Sequence, residues 1–150
     1  MLDKQNEFSD SQAVTTTAIS TNVIDTLPGL RAGLTSNLGG PEAIYLVIEV
    51  DTTFTAAGAA TLTASLESDS TANLATSPTV HFSTAAIPVA SLTAKSKIVA
   101  PMGLPFGAYE RYLGVRYTIG TGPMTAGALS AYLTRDPSYW VAYQAARNPG

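Results

Sequence analysis

The chain has 150 residues, of which 45% are apolar and only 13% charged, with a net charge of −3 and no cysteine. That length fits one domain (1–150) with a substantial core, the charged share is about half the usual one, and Thr, Ser and Ala fill the difference. Lys and Arg are scattered singly, no apolar run nears the roughly 20 residues of a membrane span, and the start Met1-Leu2-Asp3-Lys4-Gln5 lacks an export-signal pattern; nucleic acid and membrane are therefore not expected partners.

Taken in order, residues 1–12 read as an N-terminal arm, followed by weak β candidates at Ala13–Thr17 and Asn22–Ile24. The strongest strand is Ala43–Asp51, apolar on both faces and so expected at the centre of a sheet. The stretch Thr52–Ala60 reads as a loop or weak edge. In Thr61–Glu67 the residues Leu62, Ala64 and Leu66 share one face, while Thr61, Thr63, Ser65 and Glu67 are expected on a wet one. Further strands are expected at Thr79–Thr84, Lys97–Ala100, Tyr112–Ile119 and Ala128–Thr134, separated by breakers such as Gly39-Gly40-Pro41 and Gly120-Thr121-Gly122-Pro123. The C-terminal arm, 136–150, reads either as a short helix over Tyr139–Ala146 capped by Asp136-Pro137 or as an extended segment. Together these signals predict an all-β, jelly-roll-like antiparallel sandwich of about eight strands.

Catalytic parts are sparse. One isolated histidine, His81, cannot build a His-rich metal site; its conceivable catalytic use is as a base beside Ser83 with an Asp to orient it. The plainer reading is a residue on a sheet surface. The pairs Glu49/Asp51 and Glu67/Asp69 each lie two residues apart, as paired acids in glycoside or Ca²⁺ chemistry can, and equally as the wet face of a strand does. No phosphate-binding loop or nucleophile elbow occurs, so no enzyme, cofactor or metal is expected. Tyr139, Trp140 and Tyr143 are the most suggestive cluster. Large aromatics near a terminus pack either on their own domain or on a partner, and these three are the candidate partner-binding residues.

Three stretches carry a resemblance: Leu2–Val14, Ser20–Asp25 and Ala108–Tyr117. Taken together, they resemble the capsid cement (decoration) proteins of tailed phages of the Bordetella-phage type, over nearly the whole chain. The resemblance implies a jelly roll that coats the outer capsid surface of the virion after assembly in the host cytoplasm. It further implies a homodimer at two-fold positions that ties together neighbouring subunits of a major capsid protein with the HK97-type fold. The competing reading is a carbohydrate- or receptor-binding jelly roll of a phage tail, in which aromatic loops stack on sugars.

Overall fold

The computed structural model describes residues 4–26, 36–38, 43–100 and 107–135. Their strands, in chain order, are β1 (Glu7–Ala13), β2 (Ala18–Ile19), β3 (Ile24–Asp25), β4 (Ser36–Leu38), β5 (Tyr45–Ala56) and β6 (Thr61–Asp69). After these come β7 (Thr79–Ser83), β8 (Ile87–Pro88), β9 (Lys97–Val99), β10 (Gly107–Tyr109), β11 (Tyr112–Gly120) and β12 (Met124–Thr134). One antiparallel sheet has the order β1-β12-β5-β9. The other has the order β2-β11-β6-β7, with β3 also on β11 and β8 also on β6, and β4 and β10 form a small ladder of their own. The result is a jelly-roll-like sandwich. Among the described residues the only helical turns are two short 3₁₀ segments, Lys4–Asn6 and Val89–Ser91.

The expected alternation explains the core. Leu46, Ile48 and Val50 of β5 face Leu62, Ala64 and Leu66 of β6, and Leu113, Val115 and Tyr117 of β11 join Leu129 and Ala131 of β12. Burial of these side chains is the main favourable term in folding. Strands β5 and β12, and likewise β6 and β11, run beside each other for most of their length, which places the four longest strands at the sandwich centre.

Four local expectations are corrected. Within the expected N-terminal arm, residues 7–12 form β1, because Phe8 is fully buried in the core and Ser9 Oγ hydrogen-bonds Tyr117 Oη at 2.8 Å. The weak candidate Ala13–Thr17 is accordingly the end of that strand and a bend. Residues 52–56, read as a loop or weak edge, continue β5 because Phe54 reaches the core. Finally, Ser65 and Glu67 are not wet: the chain after β6 folds back over this face, and both are buried. The Arg116 side chain donates to Glu67 Oε2 (2.8 Å) and to the Leu74 carbonyl (2.6 Å), pinning the covering loop, while Ser65 Oγ donates to Glu67 Oε1.

Candidate docking surface

A double-sheet body can engage another protein through its faces or its strand edges, and the two sides of this sandwich differ. On the β1 side the sheets are strapped together. The Asn22 N–H donates to the Phe8 carbonyl (2.8 Å), Gln12 Nε2 donates to the Ile19 carbonyl (2.9 Å), and Gln12 Oε1 accepts the Thr21 N–H (2.9 Å). A bulge at Asp10-Ser11 interrupts the ladder. There Ser11 takes a φ of 45°, its N–H bonds Ser130 Oγ, and Ser130 Oγ donates to Asp51 Oδ2. Asp25, on β3, forms a forked ion pair with Arg111 (2.9 Å), whose guanidinium also lies over the Tyr112 ring.

The opposite side is bounded by β9 in one sheet and by β7–β8 in the other. From β8 the chain crosses through Val89–Ser91 and runs back along β5, with the Phe54 N–H on the Leu92 carbonyl and the Lys95 N–H on the Val50 carbonyl. Both large apolar side chains that are exposed among the described residues lie on this side, Val80 at 55% and Val99 at 38%. Strand β9 carries a charged guard, Lys97, paired with Glu49 at 3.6 Å. The run from β7 to β8, residues 79–88, carries no Lys, Arg, Asp or Glu.

His81 lies in this run, at a bulge where β7 slips register against β6. It does not meet Ser83, whose Oγ donates to the Thr84 carbonyl. Instead Nε2 shares a 2.6 Å hydrogen bond with Ser68 Oγ, and the ring stacks on Tyr109 with centroids 3.9 Å apart. Ser68 also accepts the Glu110 N–H, and Glu110 Oε1 accepts from Thr79 Oγ1. Burial lowers the His81 pKa, against the opposing pull of Glu110. Ser68 has no exposed surface, so a reacting substrate has no path to its hydroxyl. The arrangement is a clasp between β6, β7 and the β10–β11 corner.

The carboxylate pairs divide. Glu49 and Asp51 lie on the outer, wet face as expected, one beside Lys97 and one bonded to Ser130. Asp69 is buried and organises the loop after β6. Its burial pushes the carboxyl pKa up, but the Thr76 and Thr71 N–H groups and the Ser70 hydroxyl outweigh that and hold it below its ordinary value. Among the described residues no three His, Cys, Asp or Glu gather as metal ligands would. Tyr139, Trp140 and Tyr143 lie outside the described residues.

The model of the Bbp16 family matches residues 8–133. The chain belongs to the Bbp16 family. This is a family of phage proteins, as the sequence resemblance implied, and the match covers every long strand of the sandwich. No curated protein matches the chain. For a Bbp16-family sandwich, the unguarded edge at 79–88 was open to sequence reasoning, since the absence of charge is visible there. That this run forms an edge was not, because edge position follows from strand order.

Proposed function

We propose that this chain is a capsid cement protein: it binds the outer surface of the phage head and ties neighbouring major capsid protein subunits of HK97-type fold together as a homodimer at two-fold positions. The observation that carries the reading is membership of a phage family across residues 8–133, combined with a sandwich whose surface is poor in charge. Neutral Thr and Ser faces approach another protein without stripping water from many ions, a step that costs several kcal/mol per buried ion. A single contact of about 800 Å² per partner is of ordinary strength. A dimer that grips two subunits makes the second contact intramolecular, and avidity can add roughly 10²–10⁴ to affinity. Rigid sheets suit this task, since a clamp that deforms under load transmits no restraint.

The test is reconstitution. Expanded capsids of the same phage that lack this protein should take it up to a saturating, symmetric stoichiometry and resist heat or internal pressure better afterwards. Capsids that ignore the purified protein would sink the proposal.

A further inference from the structure

Among the described residues, charges, a bulge or side-chain straps guard the edges at β1, β3 and β9. Strand β1 has exposed Asp10, a bulge and the Gln12 strap; β3 has the Asp25–Arg111 pair; β9 has Lys97 beside Glu49. Natural sheets blunt exposed edges with such charges and bulges, because an unpaired row of N–H and C=O groups accepts any passing strand. The row Thr79-Val80-His81-Phe82-Ser83-Thr84-Ala85-Ala86-Ile87-Pro88 has one bulge and no acidic or basic side chain apart from His81.

Among the described residues, strand β7 pairs only with β6, and its outer edge has no ladder partner. The Thr84 N–H bonds the Ala64 carbonyl and Phe82 stands opposite Leu66, so those residues direct their backbone groups inward. Antiparallel alternation then turns the Ser83 N–H and C=O outward, away from β6. Beside them, Val80 is 55% exposed, the most exposed large apolar side chain among the described residues. Unpaired backbone groups specify an extended chain as ligand, and the missing charges specify a neutral one.

We infer that the β7–β8 edge is a strand-addition site, which takes an extended, uncharged segment of a neighbouring polypeptide with Val80 as its apolar anchor. The inference rests on the cement reading, and in that setting the segment belongs to a capsid-shell subunit. Backbone bonds supply affinity there without demanding a particular sequence, which suits a protein that must meet chemically equal but geometrically varied positions on a shell.

Two variants test it. Ser83→Pro removes an outward N–H while leaving the β6 ladder intact, a position where an edge strand tolerates proline. Val80→Lys places a charge where the incoming strand would lie. Both should fold, as judged by circular dichroism and melting, and keep the wild-type oligomeric state in sedimentation. Both should bind undecorated expanded capsids about tenfold more weakly, a loss equal to about 1.4 kcal/mol. Wild-type uptake with undiminished binding by both variants overturns this inference alone. No uptake by wild type overturns it together with the cement reading. A change in oligomeric state assigns the edge to a second copy of this chain and overturns the choice of occupant.

Discussion

The ring of Phe54 lies directly over Gly127, so close that a Cβ built on the glycine would collide with Phe54 Cδ1. Gly127 has a φ of 145° and sits where β12 slips register three times against β5. The bulges let β12 pass beneath a side chain that turns into the core, and only a residue without a side chain permits it. Gly127→Ala combines overpacking, worth about 1–3 kcal/mol, with backbone strain of about the same size. The melting temperature should fall by roughly 5–15 °C for a chain of this length, by calorimetry. An unchanged melting point would show that Phe54 relocates freely.

Arg116 and Glu67 form a second close relationship. The Glu67 side chain is only 5% exposed, and its carboxylate is met by Arg116 and Ser65. Removing the cation alone leaves a buried charge with one hydroxyl for company. Arg116→Leu should therefore cost about 3–5 kcal/mol, while adding Glu67→Leu should recover most of it, since paired burial is close to neutral against apolar packing. Urea denaturation of both single variants and the double variant measures the coupling. A double variant as weak as the sum of the singles would contradict it.

The same pair shows where sequence reading reaches its limit. Period-two alternation located β5, β6, β11 and β12 within a few residues, because each keeps one apolar face on the shared core. It could not show that Ser65 and Glu67 are covered. Their burial depends on Leu74 returning over Gly114, where a Cβ would stand 2.8 Å from Leu74 Cδ1. That contact joins positions 40 residues apart. The strand in the expected arm was missed for a related reason: Glu7–Ala13 holds a single core side chain, Phe8, and its other ties are polar straps to distant residues. The open edge at 79–88 needed strand order as well as composition.

Tyr132 is buried, and its Oη has no hydrogen-bond partner among the described residues. Burial raises the phenol pKa, and Glu49 and Asp51 raise it further, so the group stays a neutral donor with nothing to donate to. A buried unsatisfied hydroxyl costs about 1–3 kcal/mol, which phenylalanine avoids at nearly the same volume. Tyr132→Phe should leave the fold intact and raise stability by up to about 1 kcal/mol in urea. A clear loss of stability would mean that the hydroxyl is satisfied in solution.

His81 supplies the pH dependence. Its folded pKa lies below the ordinary 6.5, chiefly through burial, with Glu110 opposing. As pH falls through 6.5 the unfolded chain takes up a proton that the folded chain still resists, so the unfolded state gains. The histidine's contribution is thus complete above that value and is lost as pH falls through the folded pKa. In the neutral tautomer with Nε2 unprotonated, Nε2 accepts from Ser68 Oγ, and Ser68 Oγ in turn accepts the Glu110 N–H. Protonated Nε2 must donate, and the Ser68 hydroxyl proton then has to find another acceptor in a site with no exposure. Between pH 7 and pH 5, wild type should lose stability while His81→Asn shows a shallower slope over the same interval. Hydrogen exchange at the β7 amides should rise in parallel in wild type only. Equal slopes for the two proteins would remove His81 as the titrating group.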